Sequence, residues 1–151
     1  MTTYLDIISL EQAKIYLKVD SGQTETDDEI TSMINSSLSF IEKRTNHIFK
    51  TREKVYYKDC SLVQQVKVYD FPIQEAPTDT TVRPLYSIVP TVNDTVTLTI
   101  GYILLDDIPN ELIDAALQII KVWFYESEKQ ENTSLIPLSV LQAIDANRRF
   151  L

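Results

Sequence analysis

From Leu112 to Tyr125 the clearly polar residues are Asp114, Gln118 and Lys121. Their spacing of four and three puts them on one narrow helical stripe, which Tyr125 continues. Leu112, Ile113, Ala115, Ala116, Leu117, Ile119, Ile120, Val122, Trp123 and Phe124 fill the rest of the circumference. A helix with so wide an apolar surface has to be covered on most sides. Packing inside one small domain could do this, and so could packing plus a neighbouring subunit. Leu112, Ala116, Ile119, Ile120 and Trp123 are the predicted core positions of this helix. It is expected over residues 110–126, with Pro109 suited to the first turn.

Three more helices are expected. Ser9-Leu10-Glu11-Gln12 has the form of a capping box and opens a helix over 9–17. Asp20-Ser21-Gly22 then makes a turn. A second helix over 27–45 carries Asp27, Asp28 and Glu29 at its start and Lys43 and Arg44 at its end, as the helix dipole prefers. Ile30, Met33, Ile34, Leu38 and Ile41 form its apolar stripe. After a polar linker over 127–134, the last helix spans 138–150. Leu138, Leu141, Ile144 and Leu151 give it a thin apolar face. Short helices depend on packing, so this one is expected to be mobile in the isolated chain and held by a partner.

Between them, residues 51–104 read as an inserted β segment. Candidate strands are 52–57, 63–71, 82–85 and 95–102. The last alternates most cleanly, with Val96, Leu98 and Ile100 on one face and Thr95, Thr97 and Thr99 on the other. Pro72, Pro77, Pro84 and Pro90 suggest edge strands or loops. The predicted fold class is α+β, mainly α: a small bundle of about four helices with an inserted antiparallel β segment, in one domain over 1–151. A chain of 151 residues is the size of one domain with a real core.

Composition argues against several functions. The chain has 14 Lys and Arg against 22 Asp and Glu, a formal net charge of −8. Grip on nucleic acid comes largely from clustered cations that displace counterions, and the adjacent basic pairs are only Lys43-Arg44 and Arg148-Arg149. His47 is the single histidine and Cys60 the single cysteine. A Ser–His–Asp or Cys–His system would have to use His47, which falls just past a helix end, where a partly exposed structural role is expected. Cys60 lacks partners at zinc-ligand spacing. Asp27-Asp28-Glu29, Asp106-Asp107 and Glu126/Glu128/Glu131 lack calcium-loop spacing. Two glycines, Gly22 and Gly101, cannot compose a phosphate cradle. No catalytic residue, cofactor or metal is expected. The lone cysteine suits a reducing cytoplasm. The start of the chain does not resemble a signal peptide, and no apolar run is long enough to span a bilayer.

Four stretches, taken in order, carry a family resemblance. Ile8 to Asp20, ISLEQAKIYLKVD, resembles the LeEAKaYLRVD opening of the head–tail connector (adaptor) proteins of tailed bacteriophages. Val96 to Tyr102, VTLTIGY, followed by Ile108-Pro109, is similar to that family's VTVTYTAGY…vP. Leu117, Ile120 and Trp123-Phe124-Tyr125-Glu126 resemble its aLlLlvahWYenRe helix. Ile136 to Val140, IPLSV, with Asn147-Arg148-Arg149-Phe150, resembles its lPfaV…L…yRrw tail. Residues 51–94 match poorly, Gly-rich turns are absent, and Ile100 stands where a small residue is common.

The resemblance implies a structural virion protein of the neck, made in the host bacterial cytoplasm. It implies a homo-oligomeric ring, a dodecamer on the portal, that extends the DNA channel and docks a stopper or the tail. Genomic DNA would pass without specific binding, and no membrane partner is implied. The portal or neighbour contact would be made by Leu138, Leu141, Ile144, Arg148, Arg149 and Phe150. The two arginines would equally satisfy a helix C-terminal dipole. A head-closure or tail-completion protein is an alternative. A small cytoplasmic regulator or enzyme is another, from a different class.

Overall fold

The computed structural model describes residues 3–58, 64–83, 86–91, 93–129 and 136–148, the side chains of 127–129 excepted. Five α-helices and five short strands alternate as a helical part, a strand-rich part and a second helical part. The fold is α+β and mainly α. Helices α1 (Tyr4–Ile7), α2 (Leu10–Leu17) and α3 (Asp27–Thr45) come first. Strands β1 (Arg52–Tyr57), β2 (Gln65–Val68), β3 (Thr81–Val82), β4 (Ser87–Pro90) and β5 (Thr95–Ile100) come next. A 3-10 turn (Leu105–Asp107), then α4 (Asn110–Lys129) and α5 (Leu138–Ala146), come last among the described residues.

Local chemistry sets the helix ends. The Ser9 hydroxyl accepts from the Gln12 amide at 3.1 Å, and the Gln12 side chain accepts from the Ser9 amide at 3.1 Å. Two of the orphan donors at the start of α2 are thereby satisfied. At its other end Lys18 adopts a left-handed conformation, and Asn46 does the same after α3. Asn is tolerated there because its short polar side chain relieves the penalty. The buried Lys14 ammonium ties α2 to the next turn and helix, donating to the Gln23 carbonyl at 2.7 Å and pairing with Asp27 at the start of α3.

Helix α4 lies at the centre. It packs against α2, α3 and α5, while α3 also receives α1, α2 and α5. Leu112, Ala116, Ile119 and Ile120 are fully buried, as are Ile30, Ile34, Leu38 and Ile41 of α3. Trp123 is half-buried at the margin of this core. Asp114, Gln118, Lys121 and Tyr125 line up on the exposed side of α4.

The strands form two small antiparallel sheets. One pairs β1 with β5, from Arg52 opposite Ile100 to Tyr57 opposite Thr95. The other has the order β2-β4-β3. Val66, Val68, Val89, Leu98 and Ile100, with Ile48, form a second core distinct from the helical one. The expected strand over 63–71 is reduced to Gln65–Val68, with residues 59–63 outside the described residues. The expected strand at 82–85 shifts to Thr81–Val82, and residues 84 and 85 likewise fall outside.

Ser87–Pro90 corrects the reading of Pro90 as a breaker: it is the middle strand of its sheet. Pro90 closes that strand opposite Gln65, beyond the reach of two-residue β3. A proline is tolerated there because no partner on that side needs its missing N–H. At the other end of the chain, α4 continues through Ser127 to Lys129, part of the expected linker. Helix α5 stops at Ala146, short of the expected 150.

Candidate assembly surfaces

The junction between the helical and strand-rich parts is built from polar side chains of α3 and the turn after it. Glu42 is 6% exposed. One carboxylate oxygen accepts from the Phe49 amide at 2.6 Å and the Lys50 amide at 3.2 Å. The other accepts from the Tyr4 hydroxyl at 2.8 Å. Burial and this carboxylate push the Tyr4 phenol up to about 12. A single buried carboxylate thus joins α1, α3 and the segment entering β1.

His47 occupies the next position along the same junction. It is buried rather than partly exposed as expected. Its Nδ1 lies 2.6 Å from the Tyr102 hydroxyl and its Nε2 lies 3.0 Å from the Asn147 carbonyl oxygen. A carbonyl only accepts, so Nε2 carries the proton; in the neutral ring Nδ1 then accepts from Tyr102. His47 therefore connects the end of α3, the end of β5 and the end of α5. Both ring nitrogens thus make contacts within the fold. Among the described residues, no group of three or more His, Cys, Asp or Glu is arranged to hold a metal, and no helix is long and apolar enough to cross a membrane.

The residues expected to meet a partner are divided by the fold. Ile144 is fully buried in this chain's own core, together with Val140. That corrects the placement of Ile144 in the contact set, since a side chain buried in its own chain is not presented to a portal or neighbour. The buried line of the segment is Ile136, Val140 and Ile144 at steps of four, not Leu138, Leu141 and Ile144 at steps of three. The reason is the seating of α5 against α3 and α4. The Arg44 guanidinium adds two hydrogen bonds of 2.7 Å to the Asp145 carboxylate. Leu138 is left 69% exposed and Leu141 half-buried. The Arg148 amide donates to the Asp145 carbonyl at 3.1 Å, closing the last turn. Arg149 and Phe150 lie outside the described residues.

Besides Leu138, several large apolar side chains are exposed among the described residues. Ile103, Leu104 and Leu105 stand out between β5 and α4. Val55, Tyr57 and Val82 are exposed on the strand-rich part. Ile15 and Tyr16 of α2 lie near a groove of about 540 Å³ lined by Tyr16, Gln118, Lys121, Val122, Tyr125, Glu126 and Pro137. The Tyr125 hydroxyl donates to the Leu17 carbonyl at 2.9 Å, which fixes α4 against the end of α2 and sets the floor of this groove. In the sequence the first group is an aliphatic run beside Asp106-Asp107. A short apolar run in a loop reads equally as core, so periodicity alone does not single it out.

No family model matches this chain, and no curated protein matches its sequence. Solved structures match its fold, two of them from gene transfer agent particles. A chain of a native gene transfer agent virion has a TM-score of 0.72 at 11% identity, covering 100% of this chain and 94% of that one. A chain from the neck of an empty gene transfer agent particle, computed with C6 symmetry, has a TM-score of 0.63 at 14% identity, with the same coverage. The likeness spans the full length of this chain, which therefore shares its fold with chains of gene transfer agent particles.

Proposed function

We propose that this chain is a head–tail connector subunit: a non-enzymatic structural protein of the neck of a phage or phage-like particle. Copies form a ring beneath the portal, extend the DNA channel and dock the stopper or tail. The observation that carries this reading is the full-length likeness in fold to a gene transfer agent virion chain and neck chain. The sixfold symmetry applied to that neck supports a ring, and about twelve copies related by heterologous contacts are compatible with it. The ordered motifs from Ile8 to Phe150 support the connector position. An excess of eight negative charges supports a channel that DNA passes through without being gripped. The portal contact is assigned to α5 and the residues after it, where Leu138 is exposed and Leu141 and Arg148 are half-buried; Arg149 and Phe150, outside the described residues, keep their place in the expected contact set. The test is to mix the purified chain with its cognate portal and read the mass of the product by native mass spectrometry. A portal-bound ring is expected; monomers with no portal binding would overturn the reading. Cryo-EM of the neck then separates a connector, directly against the portal, from a head-closure or tail-completion protein further down.

A further inference from the structure

The two ends of α4 carry surfaces of complementary character. At its start, Ile103 and Leu104 are each 61% exposed, and the exposed Leu105, Asp106 and Asp107 come directly after them. This loop is anchored, not slack. Tyr102 and Ile108 on either side are buried, and the Asp107 and Ile108 amides donate to the Leu104 and Leu105 carbonyls at 3.3 and 3.1 Å. The apolar residues are therefore held out in a fixed turn, which lowers the entropy lost on docking. In the second half of α4 lies the groove floored by Val122 and Tyr125, with Tyr16 and Pro137 at its sides. Lys121 stands exposed at the groove, its Nζ 5.9 Å from the Tyr16 ring centroid. Glu126 lines it too, and its Oε2 is buried without a hydrogen-bond donor among the described residues.

We propose that the Ile103–Leu105 turn of one copy seats in the α2–α4 groove of the next copy, with Asp106 and Asp107 against Lys121. The match is one of chemistry: an apolar knob beside two carboxylates meets a mixed groove in which Tyr16, Val122, Tyr125 and Pro137 offer apolar contact and Lys121 an ammonium. A chain cannot fill its own groove, because Asn110 and Val122 are separated by about 18 Å along the helix. Two different surfaces on one chain generate a heterologous contact, which propagates head to tail and closes into a ring when the rotation allows. Closure into a ring rests on the connector reading above; the pairwise contact does not.

The test pairs Leu104→Cys with Gln118→Cys in a Cys60→Ser background, both new positions being exposed, and treats the chain with a short bis-maleimide, alone at high concentration and on the cognate portal. A ladder of linked copies is expected, absent from either single variant. In parallel, Leu104→Asp should lower assembly about tenfold or more, since a leucine is lost from an apolar contact. Asp106→Lys with Asp107→Lys should restore assembly lost through Lys121→Glu. Rings on the portal without the cross-link would overturn this contact and leave the connector reading standing. A ladder from the chain alone, without portal binding, would uphold the contact and sink the connector reading. Neither ladder nor ring would overturn both.

Discussion

Arg44 near the end of α3 and Asp145 near the end of α5 meet through two parallel hydrogen bonds, Nε to Oδ1 and Nη2 to Oδ2, each 2.7 Å. They are 101 positions apart in the chain and sit at the seam where the terminal helix joins the bundle. The paired, planar geometry is what an arginine offers and a lysine does not.

That pairing makes α5 sensitive to acid. The hydrogen bonds from Arg44 hold the Asp145 carboxyl below its ordinary value of 3.8. A carboxylate with a depressed value adds stability above the unfolded-state pKa and loses it as pH falls through the folded-state value. Protection factors over 138–146, taken relative to the intrinsic exchange rate, should therefore fall below about pH 4 in the native chain. In Asp145→Asn the same segment should exchange faster already at pH 7, with a flatter response to acid. Both partners are open to solvent, so salt should weaken the effect.

Glu42 governs the opposite end of the pH scale. Its removal in Glu42→Ala leaves two amides and a hydroxyl without an acceptor, at a cost of about 3–5 kcal/mol read by urea denaturation. Glu42→Gln keeps one acceptor oxygen and should cost about 1–2 kcal/mol. The Tyr4 phenol, raised to about 12 by burial and by Glu42, contributes stability that is complete below pH 10 and is lost as pH rises toward 12. Tyr4→Phe should remove that high-pH loss from the stability profile.

His47 can be examined without ambiguity, since the chain has no other histidine. Long-range proton–nitrogen NMR should find the neutral ring protonated at Nε2, as its contact with the Asn147 carbonyl requires. Tyr102→Phe deletes the hydroxyl that faces Nδ1 and should cost about 1–2 kcal/mol while leaving that tautomer in place. Protonation mainly on Nδ1 would contradict the assigned geometry.

Gly101 is held at φ +110°, where a side chain is strained. A Cβ there would come within 2.8 Å of the Thr51 Cα and 2.9 Å of the Lys50 carbonyl oxygen. Both are backbone atoms of the segment leading into β1, so neither can step aside. Gly101→Ala should cost about 3 kcal/mol or more, or prevent folding, as read by circular dichroism and denaturation. Gly22→Ala meets only the Asp20 carboxylate, at 3.7 Å, and should be mild by comparison.

On α5, one face supports the fold and the other is open to a partner. Ile144→Ala removes a fully buried side chain and should cost about 2–5 kcal/mol. Leu138→Asp alters an exposed position and should change stability by no more than about 0.5 kcal/mol. If the portal contact is made as proposed, Leu138→Asp should nonetheless abolish capture on the portal in a pull-down.

How much of the fold is readable from residues alone varies along the chain. The Ser9–Gln12 capping box and the apolar stripe of α3 are local patterns within a few turns, and they form at the places expected. The wide apolar surface of α4 foretells a central helix because only a position between several neighbours can cover it. Helix α5 sits one step out of phase with its sequence reading. A stripe at steps of three and one at steps of four share Ile144, and only the partner surface chooses between them. Strand β4 escapes a local reading because it is short and ends in Pro90, and its pairing with β2 reaches across some twenty residues.

By itself, then, the sequence determined the helical, strand-rich, helical order of the chain, the starts of α2, α3, α4 and α5, the centrality of α4 and the poverty of catalytic residue types. Those arise from interactions among residues close in the chain and from counts of residue types. Tertiary structure alone decided that His47 is a buried bridge, that Ile144 belongs to the core while Leu138 does not, and that the Ile103–Leu105 turn and the α2–α4 groove are left open at opposite ends of one helix. Each of these depends on contacts between residues tens of positions apart, whose geometry no local periodicity encodes.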